Sequence, residues 1–126
     1  MPAIVDTCGW IEWLTDGVLS SAFEPWMQSP TEQLVPTVIQ FELYKWVKRE
    51  AGESKAMEVI AATEQCQILS LDGAIALLAA DLALEHRLSF ADAVIYASSQ
   101  WAGAELITSD DHFEGLADVV FFDKRG

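Results

Sequence analysis

Short apolar segments alternate with helical segments along the chain, and this alternation restricts the possible fold more than any other feature. The apolar segments have three or four residues, which is typical of buried strands. Between them lie helix signals, such as Asp72 ahead of an alanine- and leucine-rich stretch. Strands that alternate with helices predict an α/β fold with a mostly parallel sheet. The predicted strands are 3–5, 33–35, 67–70, 106–108 and 119–122.

One predicted helix start has a specific capping pattern. Thr37 and Gln40 stand three residues apart ahead of a helix over 38–50, which fits a capping box with Thr37 as the cap. Gly52 follows as a typical stop signal. We therefore expect the side chain of Gln40 to be engaged at the start of its own helix.

The size and composition predict one compact domain over residues 1–126. The 126 residues are 52% hydrophobic, enough for a core of their own. No apolar stretch approaches the ~18 to 20 residues that cross a bilayer. Neither an export signal nor a paired-cysteine metal motif is recognisable. A reduced, cytoplasmic protein without a membrane span is therefore the expectation.

The net charge of −13 bears on the kind of partner. Proteins that bind nucleic acid tightly and indiscriminately usually present a basic surface. This chain cannot do so globally. Part of its acidity could belong to a site that a metal ion neutralises, and a basic partner protein could balance another part.

Acidic residues stand where a parallel sheet forms its ligand crevice. Asp6 directly follows the first predicted strand and Asp110 follows the fourth, and the carboxyl ends of parallel strands share one edge. Each acid also has a purely structural explanation, Asp6 as a helix cap and Asp110 as a turn residue. Asp92, three residues after Ser89, could hydrogen-bond back to that helix cap. From the residues alone, both explanations stay open.

Glu42 favours a specific role more strongly. Its neighbours Phe41, Leu43 and Tyr44 make this part of the helix apolar nearly all round, so we expect the carboxylate near a buried surface. A buried carboxylate without a partner is strongly disfavoured. A surface ion pair with a nearby lysine or arginine is the alternative. Because hard divalent cations take oxygen ligands, a cluster of such acids predicts a site for Mg²⁺ or Mn²⁺.

The same residues carry a resemblance to a known family over essentially the whole chain. Its signals are four segments in the family's order and spacing, at 4–7, 36–44, 88–97 and 106–113. In these segments the chain resembles the PIN-domain family, and within it the VapC-like toxins of bacterial and archaeal toxin–antitoxin pairs. The resemblance implies a three-layer α/β/α domain with a mostly parallel central sheet.

The resemblance also implies roles for individual positions. The catalytic acids would be Asp6, Glu42, Asp92 and Asp110. Of these, Asp6, Asp92 and Asp110 would hold the metal, with the adjacent Asp111 as a rival to Asp110. Supporting polar positions would be Thr7 and Thr108. At Cys8 the chain departs from the family, because many relatives have Asn close after the first acid.

The activity implied is Mg²⁺- or Mn²⁺-dependent hydrolysis of RNA phosphodiester bonds by a toxin that a protein antitoxin restrains. A homodimer and a toxin–antitoxin hetero-oligomer are implied as well. Trp10, Trp13 and Trp46 are candidates for the antitoxin groove, although core packing explains them too. Candidates for RNA contact are Lys45, Lys48 and Arg49, which an ordinary solvated helix face explains equally well.

Other functions remain alternatives. A stand-alone nuclease or a catalytically silent binding module would share the fold. A magnesium-binding receiver domain of signalling systems would place a lysine after the fourth strand, and none follows the strand 106–108. His112 lies near Asp110, but a solvent-facing turn histidine is the simpler interpretation.

Overall fold

The computed structural model describes residues 2–125 and contains five strands and six α-helices. The strands are β1 (Ala3–Val5), β2 (Leu34–Pro36), β3 (Gln67–Leu69), β4 (Glu105–Thr108) and β5 (Val119–Phe121). The helices are α1 (Thr7–Leu14), α2 (Ser20–Met27), α3 (Thr37–Ala51), α4 (Glu53–Thr63), α5 (Gly73–His86) and α6 (Phe90–Ala102). Two short 3₁₀ helices lie at Pro30–Glu32 and Asp111–Phe113. All five predicted strands are present, within one or two residues of their expected bounds.

The strands form a parallel sheet in the order β3-β2-β1-β4-β5. Strands β1, β4 and β5 pair side by side, β2 pairs with β3, and a parallel bridge between Ala3 and Gln33 joins the two groups. The chain runs outwards from β1 to β3 and then returns to β4. Right-handed crossovers therefore place α1–α4 on one face of the sheet and α5 and α6 on the other. The predicted α/β fold with helices flanking a parallel sheet is confirmed.

The core lies against the central strands. Every residue of β1 is buried, with Ile4 and Val5 fully inaccessible, because helices cover both faces of a parallel sheet. A smaller cluster packs α5 against α6 through Ile75, Ala79 and Val94. No helix among the described residues is long and apolar enough to cross a membrane.

Three of the helix starts test the sequence predictions. Asp72 and Ser89 cap α5 and α6, accepting hydrogen bonds from Ile75 N and Asp92 N at 3.0 and 3.3 Å. The capping box at Thr37 is wrong: Thr37 is the first residue of α3, and no side chain caps that helix. The Gln40 amide instead donates to Thr63 Oγ1 (3.0 Å) and Glu64 Oε1 (3.2 Å), which ties α3 to α4.

Candidate active site

The four candidate acids occupy positions at the carboxyl edge of the sheet. Asp6 follows β1 directly and Asp110 follows β4. Glu42 lies in the second turn of α3, the helix that leaves β2, and Asp92 lies in the first turn of α6. Parallel strands end at one edge, so the connections that follow β1, β2 and β4 converge there. Asp92 lies on a helix that follows α5, and its contact with His112 places it at the same edge.

Asp6 is the most buried of the four acids, with 4% of its surface exposed. Its Oδ1 accepts a hydrogen bond from Thr7 N at 2.8 Å, and its Oδ2 accepts one from the Thr108 hydroxyl at 2.8 Å. Burial raises the pKa of Asp6 from 3.8 to about 7, and the nearby Asp92 and Asp110 carboxylates also act to raise it. Asp6 therefore serves as the N-cap of α1 while its second oxygen lies within the acidic cluster.

Glu42 is tied to the same centre through Thr7. The Thr7 hydroxyl donates to Glu42 Oε1 at 2.6 Å, so adjacent residues Asp6 and Thr7 contact β4 and α3 respectively. The expectation that Glu42 lies near a buried surface, among buried apolar neighbours, is only partly right. Leu43 is fully buried, but Phe41 is 63% exposed and Glu42 itself is half-buried.

Among the described residues, Asp92, Asp110 and His112 form a group of possible metal ligands. One ligand atom from each lies within 4.8 Å of the others. His112 Nδ1 is 3.0 Å from Asp92 Oδ2 and 3.2 Å from Asp110 Oδ1, and Asp110 Oδ1 also accepts the His112 backbone N–H. The hydrogen bond to Asp92 and the charges of both carboxylates raise the pKa of His112. Burial, with the Asp110 charge, raises the pKa of Asp92.

His112 is thus exposed, as expected of a turn histidine, yet it contacts two candidate acids. Its proximity to Asp110 in sequence was the only signal, and the contact with Asp92 lies beyond any local pattern. Asp111, by contrast, is exposed and begins the 3₁₀ helix, whose N-cap is Asp110. The cluster of three described residues contains Asp110 and not Asp111.

Cys8 lies beside the acids where the resemblance leads one to expect an asparagine. Its Sγ accepts hydrogen bonds from Ser109 N and Oγ at 3.4 Å and lies 3.7 Å from Asp6 Oδ2. Burial and the nearby Asp6 charge raise the pKa of Cys8 to about 11. The raised pKa favours the neutral thiol, and the hydrogen bonds link the first turn of α1 to the turn after β4.

The donor set suits a hard divalent cation. Carboxylate oxygens from Asp6, Asp92 and Asp110 are the ligand type that Mg²⁺ and Mn²⁺ prefer, and imidazole is compatible with Mn²⁺. Burial, with a smaller contribution from the neighbouring carboxylates, raises the pKa of both Asp6 and Asp92 and so disfavours their ionised forms. A cation at this point would favour the ionised forms.

The aromatic candidates separate into two environments. Trp10 is buried and Trp13 half-buried, and both line an apolar groove with Met27, Gln33 and Cys66. Trp46, on α3, packs against the main core and is not among the residues that line the groove. The groove can therefore involve two of the three tryptophans.

The lysine and arginine candidates on α3 are exposed, and two are paired with acids. Lys48 Nζ lies 3.3 Å from Glu53, and Arg49 Nε lies 3.3 Å from Glu50. Lys45 Nζ lies over the Phe41 ring at 5.8 Å. An ordinary solvated helix face therefore explains the exposure of Lys48 and Arg49 as well as a role in RNA contact does.

Glu12 is a buried acid that the sequence does not single out. Its Oε1 accepts Leu19 N at 3.0 Å and its Oε2 contacts Lys124 Nζ at 3.0 Å, which lowers the pKa of Glu12. Lys124 is 112 residues away in the chain. No local pattern could identify this pair.

Comparison with known proteins agrees with a parallel α/β domain. The chain belongs to the PIN domain family, whose model matches residues 3–119. No curated protein sequence matches it significantly.

Several solved structures share the fold. A toxin–antitoxin complex from Klebsiella pneumoniae matches at 24% identity and a TM-score of 0.76, over 94% of this chain and 95% of the other. DNA-bound VapBC from Salmonella typhimurium matches at 15% identity and a TM-score of 0.75, over 97% of this chain and 98% of the other. VapC20 from Mycobacterium tuberculosis, a toxin that cleaves the sarcin–ricin loop, matches at 16% identity and a TM-score of 0.70. The match covers 96% of this chain and 89% of the other.

Proposed function

We propose that this protein is a metal-dependent endoribonuclease and the toxin of a toxin–antitoxin pair. The observation that carries the proposal is the convergence of Asp6, Glu42, Asp92 and Asp110 at one sheet edge of a PIN domain. The solved structures of similar fold include toxin–antitoxin complexes and an RNA-cleaving toxin, which supports the choice of substrate and partner.

In this proposal Asp6, Asp92 and Asp110 hold Mg²⁺ or Mn²⁺, directly or through water. When bound, such an ion lowers the pKa of a coordinated water and offsets charge that develops on the phosphate. Glu42 or Asp92 orients the attacking water and takes its proton. Thr7 keeps Glu42 in place, and Thr108 does the same for Asp6.

For RNA contact, the geometry of α3 separates the three basic candidates. Residues three, four and seven apart share a helix face, so Lys45 and Arg49 lie on the face of Glu42. Lys48 is six residues from Glu42, a spacing that does not bring it onto the Glu42 face, and it contacts Glu53. We therefore assign RNA contact on this helix to Lys45 and Arg49 ahead of Lys48.

For antitoxin binding, the groove beside Trp10 and Trp13 offers unsatisfied polar groups. Trp10 Nε1 and Gln33 Oε1 are buried without a hydrogen-bond partner among the described residues. One is a donor and the other an acceptor, which is what a peptide backbone needs. A segment of the antitoxin with apolar side chains would fill the groove and pair with both atoms after a small local movement.

The assembly is part of the same proposal. We expect a homodimer that the antitoxin converts into a hetero-oligomer. Exposed apolar side chains on or beside α5, namely Leu77, Leu84 and Phe90, provide a surface for self-association. Light scattering of the purified protein measures the homodimer directly.

The decisive experiment compares wild type with Asp6→Asn on total cellular RNA in Mg²⁺ or Mn²⁺. We expect Asp6→Asn to cleave more than about a hundredfold more slowly, on the scale of a lost catalytic acid or base. Glu58→Gln, which removes an exposed carboxylate from α4, is the control and should keep full activity. Equal cleavage by wild type and Asp6→Asn, or cleavage that persists in EDTA, would refute the mechanism.

The toxin role has a separate test. A short gene for a DNA-binding protein should lie immediately upstream, and its product should form a complex with the purified nuclease. RNA cleavage without any such gene would instead favour a stand-alone nuclease. A folded protein that binds the upstream product but never cleaves RNA would be a silent binding module.

A further inference from the structure

A pocket beside the acidic cluster is lined by both carboxylates and cations. Its charged residues are Asp110 and Asp111 after β4 and Asp123, Lys124 and Arg125 after β5. The basic residues come just after β5, at the same carboxyl edge as the candidate acids. In a chain with a net charge of −13, this places positive charge next to a proposed catalytic acid.

The segment 122–125 is held in this position by contacts at two residues. Phe122 N donates to Thr108 O at 2.9 Å, and the Phe122 ring meets those of Phe23 and Trp26 at 5.3 and 5.9 Å. Lys124 then pairs with the buried carboxylate of Glu12. These contacts fix the segment against both β4 and the α1–α2 pair.

Lys124 and Arg125 differ in what their charges contact. Lys124 contacts a carboxylate that is only 9% exposed, so its charge serves a structural pair. The Arg125 side chain is 72% exposed, and its Nε lies 3.1 Å from the exposed Asp123 carboxylate. A guanidinium carries five N–H donors in a planar fork that matches phosphate geometry. One contact through Nε therefore leaves the other N–H donors available for a phosphate.

We propose that Arg125 binds a backbone phosphate of the RNA strand next to the bond that is cut. The contacts of Phe122 and Lys124 position the segment 122–125 that carries it. This inference rests on the proposed ribonuclease function and adds a contact after β5 to those expected on α3. A competing role for Arg125 is that of a counter-ion to Asp123, whose hydrogen bond and charge raise the pKa of Arg125, with smaller contributions from Asp111 and Glu114. In that role the loss of Arg125 would leave RNA affinity unchanged.

The test measures RNA binding apart from cleavage. A fluorescent single-stranded RNA is titrated with Asp6→Asn protein in Mg²⁺, with and without Arg125→Gln. We expect Arg125→Gln to weaken binding about tenfold, since one charge-assisted contact is lost. The slope of log affinity against log salt should fall by about 0.7, as for one phosphate contact on a single strand.

The matched control is Lys55→Gln, which also removes one exposed, acid-paired cation but lies on α4. It should leave both RNA affinity and salt slope at the parent values. In the cleavage-competent protein, Arg125→Gln should raise KM about tenfold and leave kcat within about twofold, because uniform binding is lost. Arg125→Lys should recover part of the affinity.

The two proposals fail in different ways. If wild-type protein cleaves RNA and Arg125→Gln binds and cleaves like Lys55→Gln, the Arg125 contact is refuted while the ribonuclease function stands. If folded wild-type protein neither binds nor cleaves RNA, both are refuted.

Discussion

The Thr108 hydroxyl donates a hydrogen bond to Asp6 Oδ2 at 2.8 Å, across 102 positions of sequence. Thr108 Oγ1 also accepts a hydrogen bond from Asp110 N at 2.9 Å. A single buried hydroxyl thereby connects two candidate metal ligands that follow neighbouring parallel strands. It also favours the ionised form of Asp6, which burial opposes.

Thr108→Val removes this link while keeping the shape of the side chain. We expect a loss of about 1–3 kcal/mol in the free energy of unfolding, because a buried carboxylate oxygen and a backbone N–H lose their partner. Urea unfolding measures the change. Thr31→Val, at an exposed position, is the control and should stay within about 0.5 kcal/mol of wild type. Equal effects of the two substitutions would show that the hydroxyl contributes nothing specific.

Asp6→Asn should change how stability depends on pH in metal-free protein. The folded-state pKa of about 7 lies above the ordinary 3.8, so the unfolded state ionises first and wild-type stability falls as pH rises between these values. At pH 8 in EDTA, we expect Asp6→Asn to be more stable than wild type by about 2 to 4 kcal/mol. Near pH 4 most of that gain should vanish. A gain of the same size at both pH values would contradict the assignment.

Divalent metal should stabilise the folded protein through the acidic cluster. At a hundredfold excess over Kd, a ligand that binds only the folded state adds about 2.7 kcal/mol. Thermal unfolding with and without Mn²⁺ should therefore show a rise in Tm for wild type that EDTA reverses. Asp92→Asn should lose most of this rise, whereas the exposed Asp81→Asn should keep it. An undiminished rise in Asp92→Asn would place the metal elsewhere.

Gly9, in α1, packs too closely against β1 and α2 to leave room for a side chain. A Cβ at this position would lie 2.6 Å from Val5 Cγ1 and 2.7 Å from Phe23 Cε1, both in the buried core. We expect Gly9→Ala to cost about 1–3 kcal/mol in unfolding free energy. Gly73→Ala is the matched control, since nothing lies within 4 Å of its added Cβ, and it should be neutral or slightly stabilising. Wild-type stability in Gly9→Ala would refute this packing.

Local patterns were sufficient for the elements and for part of the site. Apolar strands and capping residues such as Asp72 and Ser89 act over a few positions, so their positions could be predicted. Gln40 was misassigned because its amide has a competing partner 23 residues away, at Thr63. The exposure of Phe41 beside Glu42 could not be predicted for a similar reason, since it depends on how α3 packs in the fold.

By itself, the sequence determined the alternation of strands and helices and the placement of Asp6 and Asp110 at strand ends, because hydrophobic periodicity and parallel topology depend on residue order. Only the tertiary structure decided the side-chain partners: Thr7 with Glu42, His112 with Asp92, and Glu12 with Lys124. These contacts join residues 20 to 112 positions apart. Distances and burial at that separation are set by how the helices pack on the sheet.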